Sequence, residues 1–410
     1  MLQVTEFDNH QLADYEADTD PIEIDRLKSI AKTLEGKKIY EINATAIGGG
    51  VAELLHSQIP LFRDLGLYAD WLVLPSNNHF FTITKNLHNC LQGHCALPNQ
   101  FELEHYSKYL QEAAVDIPQD GDLYILHDPQ TLGLAPYLKN HKLIWRCHID
   151  LTMADPHVLA WVQDYYQYFS KVVFSLEAYV SGLERKKVAI VHPAIDPLSD
   201  KNRQLSQREI DTYLGKYELD ITKPYLLQVS RFDRFKNPIG AIEIFAETRK
   251  LIPSLQCVLM GDYATDDPEG KPYFEEVRQI AREADHGNIH IITQKDDLAV
   301  NALQRGAAAV LQNSTQEGFG LSVTEALWKG KFVFARPVGG IALQVINGKT
   351  GFYLADNNHD SAESIAKVLK NSRDYLHVEA DAKEQVRRKF LLPKMANDYL
   401  HVYAEALKQT

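Results

Sequence analysis

The fold is decided by residues 309–325, which read AVLQNSTQEGFGLSVTE. The first part, Ala309–Leu311, is an apolar run of the length of a buried strand. Gly318 and Gly320 then turn the chain into an apolar pattern with helical spacing. The order strand, glycine-containing loop and helix is typical of one unit of a parallel α/β sheet.

Similar units occur along nearly the whole chain, because short apolar runs alternate with amphipathic helical stretches. The strands predicted in the first half are Ile39–Ile42, Trp71–Leu74, Leu123–Leu126, Leu143–Arg146, Val172–Ser175 and Val188–Val191. Those predicted in the second half are Tyr225–Val229, Cys257–Met260, Ile289–Ile292, Ala309–Leu311, Phe332–Ala335 and Phe352–Leu354. Each series fills one doubly wound sheet, so we expect an α/β protein of two Rossmann-like domains that face each other across a cleft.

The segment between 196 and about 223 contains no strong strand, and we expect the hinge there. The predicted domains are therefore residues 1–215 and residues 216–392. A helical pattern from about 393 to 406 follows the second sheet, and we expect the segment 393–410 to join the first domain.

Composition limits the partners. The 410 residues carry 43 Lys and Arg against 55 Asp and Glu, a net charge of −12 that disfavours a nucleic-acid partner. No apolar run reaches the roughly 18 residues of a membrane span, and the first residues do not read as a secretion signal, so we expect no membrane partner and a cytoplasmic location. The four cysteines are expected to be reduced, and no Cys or His spacing is typical of a tightly bound metal.

Two further loops favour anion binding. After the strand Ile39–Ile42, the run Gly48-Gly49-Gly50 precedes a helical pattern, and such a turn either cradles a phosphate or is simply a tight turn. A dinucleotide fingerprint would need glycine where Glu53 stands, which argues against an oxidoreductase.

After the strand Tyr225–Val229 come Arg231 and Lys236, then a helix predicted to begin with the cap Asn237 and Pro238. Two cations there suit a diphosphate, and the alternative is solvated surface charge.

Glu317 and Glu325 lie eight residues apart in the stretch that decides the fold. Glu317 falls in the loop, whereas Glu325 falls in the second turn of the helix. Carboxylates accept hydrogen bonds from vicinal hydroxyl groups, as on a sugar ring or a ribose. Between them, backbone amides near the helix N-terminus can bind an anion; the residues are Gly318, Phe319, Gly320 and Leu321. The alternative is a capping carboxylate and a surface glutamate.

These residues resemble a family, because Glu317 and Glu325 match the E-x7-E motif of the retaining GT-B glycosyltransferases. Arg231 and Lys236 match that family's phosphate-binding positions, and Gly49 and Gly50 its first-domain glycine turn. The resemblance covers nearly the whole chain. Further segments are similar to the trehalose glycosyltransferring synthases, which join glucose from a nucleoside-diphosphate glucose to free glucose; these segments are Asn43–Glu53, Thr84–Asn89, Trp145–Asp150, Pro193–Ser199 and Thr324–Gly330.

The resemblance implies a role for each matched position. Arg231 and Lys236 hold the diphosphate, Glu317 the hydroxyl groups of the donor glucose, and Glu325 the ribose. His148 matches a histidine that approaches the donor sugar, although a lone histidine after a strand is more often structural. Two positions depart from the expected pattern: Gln316 stands where we expect Arg, and Ala342 stands where Pro is usual. Gln316 removes a charge next to the expected sugar site, which bears on the acceptor or donor preference.

The expected activity is transfer of glucose to glucose, giving α,α-trehalose by front-face displacement. The alternatives are a trehalose phosphorylase, another α-glucosyltransferase of the same fold, or a non-enzymatic sensor of sugar nucleotides. We expect no tightly bound cofactor, with Mg²⁺ accompanying the nucleotide sugar as an open alternative. The nucleobase and the oligomeric state also stay open, a homodimer being one alternative.

Overall fold

The computed structural model describes residues 1–8, 10–46, 49–75, 77–94, 96–217, 219–263, 270–284, 287–294 and 296–408. Gly48, named above, lies outside the described residues, as does Cys95, one of the four cysteines. Internal contacts divide the chain into two compact units. Unit 1 comprises Met1–Ala194 and Leu391–Thr410, and unit 2 comprises Ile195–Phe390.

Unit 1 is built on a sheet of seven strands in the order β1-β3-β2-β4-β5-β6-β7. The strands are β1 Leu2–Val4, β2 Lys38–Asn43, β3 Tyr68–Val73, β4 Leu123–His127, β5 Lys142–Cys147, β6 Lys171–Phe174 and β7 Val188–Ile190. All neighbouring pairs are parallel except the edge pair of β1 with β3. Every residue of β4 is buried, as expected for a central parallel strand with helices on both faces.

The helices of unit 1 before its sheet is complete are α1 Pro21–Lys32, α2 Gly49–Asp64, α3 Asn78–Leu91, α4 Gln100–Ala114, α5 Asp128–Leu132 and α6 Pro156–Tyr166. Their starts follow local chemistry. The Asp20 side chain accepts a hydrogen bond from the Ile22 amide at the start of α1, and Asn99 forms a capping box with Glu102 at the start of α4.

Unit 2 contains a parallel sheet of six strands in the order β10-β9-β8-β11-β12-β13. The strands are β8 Tyr225–Val229, β9 Gln256–Met260, β10 Ile289–Ile292, β11 Ala309–Gln312, β12 Val333–Ala335 and β13 Phe352–Tyr353. The helices are α7 Gln207–Lys216, α8 Pro238–Leu251, α9 Gly270–Ala284, α10 Asp297–Gly306, α11 Leu321–Trp328, α12 Ile341–Gln344, α13 Asn358–Lys370 and α14 Leu376–Lys389. Short 3-10 turns occur at Leu12–Tyr15, Ala135–Leu138, Glu177–Tyr179, Arg185–Lys187 and Ser372–Tyr375.

The last helix, α15 Leu392–Lys408, belongs to unit 1. Its Asn397 side chain donates to Glu23 of α1 at 2.8 Å, and its Tyr403 hydroxyl donates to Glu41 of β2 at 2.5 Å. Tyr403 is fully buried. The C-terminal helix is therefore part of the core of the first unit.

The first boundary between the units lies at 194/195, earlier in the chain than the predicted 215/216. Side chains of α10 account for the difference. Asn301 donates to the carbonyls of Asp200 and Arg203 at 2.8 Å each, and Arg305 donates to the carbonyl of Asn202 at 3.0 Å. These contacts attach the polar segment around residue 200 to unit 2.

The cysteine expectation needs one correction. Cys147 and Cys257 are buried free thiols, but Cys90, in the last turn of α3, is disulfide-bonded. The expectation rested on cysteine count and on zinc spacing, and neither reports how close two sulfur atoms come in the fold. None of the described helices is long and apolar enough to cross a bilayer.

Candidate functional site

Each sheet contains a position where the strand order reverses direction, and the predicted residues cluster after those strands. In unit 1, β2 lies between β3 and β4; in unit 2, β8 lies between β9 and β11. Open α/β sheets bind ligands in the crevice beyond the carboxyl ends of the strands at such switch points.

The loop after β8 carries two predicted cations. Gln228, buried at the end of β8, donates from its amide nitrogen to the Lys236 carbonyl at 2.9 Å and so fixes the far end of the loop. Asn237 adopts the left-handed conformation with φ 48° and caps α8 by accepting from the Gly240 amide, with Pro238 in the first turn. The predicted cap is thus confirmed. Arg231 is 65% exposed and lies 3.2 Å from Asp233, whereas the Lys236 side chain is only 16% exposed.

The loop after β11 places Glu317 against Lys236. The Glu317 Oε2 and Lys236 Nζ atoms are 2.6 Å apart, and the Glu317 side chain is 11% exposed. The other carboxylate oxygen accepts from the Gly318 amide at 3.1 Å. The Thr315 amide donates to the Phe235 carbonyl at 2.8 Å, which ties this loop to the loop after β8. Two predicted site residues, 81 positions apart in sequence, therefore meet at the switch point of unit 2.

Two glycines shape the start of α11. Gly320 has φ 83°, in the left-handed region that glycine adopts without strain. The Gly340 amide donates to the Gly318 carbonyl at 2.9 Å, and a Cβ at Gly340 would lie 2.6 Å from the Phe319 Cα. The chain thus needs glycine at 340 to approach this loop. The predicted anion-binding amides, Gly318 to Leu321, form the loop and the first residue of an eight-residue helix.

Glu325 lies one turn into α11 and is 4% exposed. Its Oε2 accepts from the Gln304 amide nitrogen at 3.3 Å. Lys329, one turn later, donates to the Gln304 side-chain oxygen at 2.7 Å. Glu317 and Glu325, although eight residues apart, therefore have different partners: an ammonium group for the first and an amide for the second.

In unit 1, Gly49 and Gly50 are the first two residues of α2, which follows β2. The predicted strand and helix are confirmed, but the helix begins at Gly49, so these two glycines lie in its first turn and not in the turn before it. Their role in binding stays a prediction.

His148 follows β5 directly. Its amide donates to Asp128 Oδ1 at 2.8 Å, and its Nε2 lies 3.1 Å from Nδ1 of His127, the last residue of β4. Asp128 has φ 58°, uncommon for a residue other than glycine, and begins α5. Burial lowers the pKa of His148 well below its ordinary value, helped by the positive charge of Arg146, whereas burial raises the pKa of Asp128. His148 is therefore a neutral imidazole near pH 7.

Residue patterns missed two members of this cluster, Glu41 and His127. Glu41 is fully buried in β2, and His127 Nε2 lies 2.8 Å from Glu41 Oε2. The available signal was a carboxylate inside the apolar strand Ile39–Ile42, since a charged residue is rarely buried without a partner. Within the described part of the chain, no three His, Cys, Asp or Glu side chains are arranged to hold a metal ion.

Comparisons with known proteins fit this architecture. The structure of HepE from Anabaena, crystallised with UDP and glucose, superposes with a TM-score of 0.70 at 17% identity, covering 90% of this chain and 99% of that one. Two Rossmann-like sheets of mainly parallel strands and this likeness define the GT-B fold. The predicted fold class is confirmed.

Sequence comparison identifies the family within this fold class. Residues 41–181 match the family model for the trehalose synthase N-terminal domain, and residues 209–385 match that for glycosyl transferases group 1. Trehalose synthase of Pyrococcus horikoshii is 39% identical over 96% of each chain. Trehalose phosphorylase of Pleurotus pulmonarius is 26% identical over 79% of this chain and 51% of its own length. The chain belongs to the trehalose synthase family.

Proposed function

We propose that this protein transfers glucose from a nucleoside-diphosphate glucose to free glucose and forms α,α-trehalose with retention of configuration. The observation that carries the proposal is the contact of Lys236 with Glu317 at 2.6 Å at the switch point of unit 2. An ammonium group beside a carboxylate suits a ligand in which a diphosphate adjoins a sugar ring. The crystallised neighbour that holds UDP and glucose supports the same ligand class.

The proposed roles are those that the family resemblance implies for the matched positions. In unit 2, Lys236 and Arg231 bind the diphosphate, assisted by the amides at the start of α11, and Glu317 binds hydroxyl groups of the transferring glucose. In unit 1, the resemblance assigns Gly49 and Gly50 to phosphate binding and His148 to the donor sugar. Glu325, buried in α11, binds the ribose.

The proposed chemistry is a front-face displacement. The bond from the anomeric carbon to the phosphate oxygen breaks, the acceptor hydroxyl oxygen bonds to that carbon from the same face, and the hydroxyl proton passes to a phosphate oxygen. A glycosidase retains configuration with two carboxylates about 5 Å apart on opposite sides of the bond. Glu317 and Glu325 instead belong to one loop and the helix that it opens, and each already has a partner for its carboxylate. Their placement suits ligand binding, and catalysis then rests on stabilising the negative charge of the leaving diphosphate.

The test is incubation of the purified protein with ADP-, UDP- or GDP-glucose and free glucose, with the linkage read by NMR. An α,α-1,1 disaccharide formed only with a nucleotide sugar supports the proposal. Disaccharide breakdown or synthesis that depends on inorganic phosphate without nucleotide indicates a phosphorylase. Nucleotide binding by calorimetry without turnover on any sugar indicates a sensor. The proposal includes no metal bound tightly by the protein, and titration with EDTA tests Mg²⁺ as a companion of the nucleotide sugar.

A further inference from the structure

A line of three polar side chains connects β2, β4 and β5 in unit 1. Glu41 Oε2 lies 2.8 Å from His127 Nε2, and His127 Nδ1 lies 3.1 Å from His148 Nε2. Glu41 is fully buried and His127 is 5% exposed. The function proposed above uses only His148, at the end of this line.

The positions of the protons follow from the groups around Glu41. Its Oε1 accepts from the Gln58 amide nitrogen at 3.0 Å and from the Tyr403 hydroxyl at 2.5 Å. Burial raises the pKa of Tyr403 well above its ordinary value, so that this hydroxyl keeps its proton and donates. A carboxylate accepts hydrogen bonds, so the hydrogen bond between Glu41 Oε2 and His127 Nε2 is donated by His127 Nε2.

A neutral imidazole carries one proton, so His127 Nδ1 is then a bare acceptor. The contact between the two histidines can form a hydrogen bond only if His148 Nε2 carries the proton. We propose that Glu41 and His127 are positioning residues that hold His148 in the tautomer with Nε2 protonated, leaving Nδ1 as the acceptor for a hydroxyl group of the donor glucose. The part concerning glucose rests on the proposed function, whereas the tautomer does not.

This assignment requires a neutral His127. The titratable and charged groups facing the pair are Glu41 on β2, Asp128 on α5, Arg146 on β5, Tyr399 and Tyr403 on α15, and His88 on α3. Arg146 is fully buried and lies with its guanidinium 5.9 Å from the centre of the Tyr399 ring. A protonated His127 would donate from Nδ1 to His148 Nε2, and His148 would then carry its own proton on Nδ1. The tautomer is therefore measured at a pH of about 8, above the ordinary pKa of histidine.

The protonation of Nδ1 matters for the proposed reaction because positive charge develops on the sugar ring in an oxocarbenium-like transition state. A glucose hydroxyl that donates to a bare Nδ1 gains electron density on its oxygen, whereas one that accepts from a protonated Nδ1 loses it. The acceptor form therefore stabilises the transition state more than the ground state.

Glu41→Gln is the informative variant. Two donors, Gln58 and Tyr403, hold the side-chain oxygen at the Oε1 position, so the new NH₂ group faces His127 Nε2. That nitrogen must then accept, which moves the His127 proton to Nδ1 and the His148 proton to its own Nδ1. Tyr403→Phe is the matched control, because it removes a donor to Oε1 and leaves the contact of Oε2 with His127.

The measurement is ¹⁵N NMR of the full-length protein labelled in histidine, with signals assigned from His127→Asn and His148→Asn. At a pH of about 8 the wild type and Tyr403→Phe should show His148 with a protonated Nε2 and a bare Nδ1, and Glu41→Gln should show the reverse. A protonated Nδ1 in the wild type, or an unchanged tautomer in folded Glu41→Gln, would overturn the proposal. The wild-type spectrum remains decisive should the variant not fold.

Kinetics provide a second readout. Glu41→Gln should lower kcat about tenfold, the effect of one misdirected hydrogen bond, while the KM for the nucleotide sugar changes less than about twofold. A merely structural role for Glu41 would lower thermal stability without inverting the tautomer. Wild-type protein with the expected tautomer but no glucosyl transfer would overturn the proposed function and leave the tautomer assignment standing.

Discussion

Replacement of Lys236 by alanine should nearly abolish glucosyl transfer while the protein stays folded. In the structure its ammonium group lies 2.6 Å from Glu317 Oε2, with side chains 16% and 11% exposed respectively. A cation so little exposed is poorly screened by water, and the negative charge on a departing diphosphate is what it would stabilise. Losing one group of this kind costs about 2.7–4 kcal/mol of transition-state stabilisation, or about 10²–10³ in kcat.

The cost in folding stability should be much smaller. Glu317 keeps its hydrogen bond from the Gly318 amide at 3.1 Å, so its carboxylate is not left without a partner. Since both members of the pair also retain some contact with water, we expect a loss of about 1 kcal/mol in the free energy of unfolding. This variant should therefore lose most of its activity while its free energy of unfolding changes little.

Arg234→Ala is the matched control because Arg234 lies in the same loop, is 65% exposed, and pairs with Glu276 at 3.7 Å. The assay is initial-rate formation of trehalose at saturating nucleotide sugar and glucose, with urea unfolding of each variant. Arg234→Ala should keep wild-type kcat within about twofold, as for an exposed ion pair. If Lys236→Ala, still folded, loses no more activity than Arg234→Ala, Lys236 does not act on the leaving group.

For Glu317→Gln, kcat should fall because contacts to the transferring sugar strengthen as its ring flattens. Calorimetry should nevertheless show tighter binding of the nucleoside diphosphate, since the Glu317 carboxylate no longer competes for Lys236. An unaltered kcat would remove Glu317 from the donor site. Glu325→Ala should raise the donor KM and the calorimetric Kd about tenfold with little change in kcat, and an unchanged Kd would contradict its assignment to the ribose. The free energy of unfolding should fall as the pH drops below 6.5, because unfolded His148 takes up a proton that the folded protein rejects. In His148→Gln this slope should shrink in urea titrations, and equal slopes in both proteins would refute the assignment.

Periodicity predicted the sheets well because both consist mainly of parallel strands, most of which are buried along nearly their whole length. All twelve predicted strands are present, with ends that differ by no more than a few residues. The missing strand, β1 Leu2–Val4, lies antiparallel at a sheet edge with its first two residues exposed, so it lacks the continuous apolar run that marks the others. Strand pairing at an exposed edge depends on backbone hydrogen bonds, which residues of many types can form. The residue types at such an edge therefore do not indicate a strand.

The positions of Arg231, Lys236 and Glu317 in the fold were predictable because each follows a strand and precedes a helix with clear signals, such as Asn237 and Pro238. The partners of those residues were not. Gln304 and Gln228 are polar residues whose role depends on which side chains the fold places beside them. The same holds for Glu41 and His127, which lie 86 residues apart in the sequence and 2.8 Å apart in the fold.

The two glutamates of the E-x7-E motif are held in ways that suit two different tasks. Lys329 donates to the side-chain oxygen of Gln304, which leaves the amide nitrogen of that fully buried residue to face Glu325. Glu325 therefore accepts a hydrogen bond from a neutral donor, and an anion bound nearby does not compete strongly for that donor. Glu317 is bound instead by Lys236, a cation that a diphosphate also attracts. Arrival of the diphosphate would weaken that ion pair and free the Glu317 carboxylate to accept hydrogen bonds from sugar hydroxyl groups. If the two glutamates bind the ribose and the sugar as proposed, this difference predicts that nucleoside diphosphate alone contacts Glu325, whereas Glu317 contacts the sugar only after the diphosphate has drawn Lys236 away.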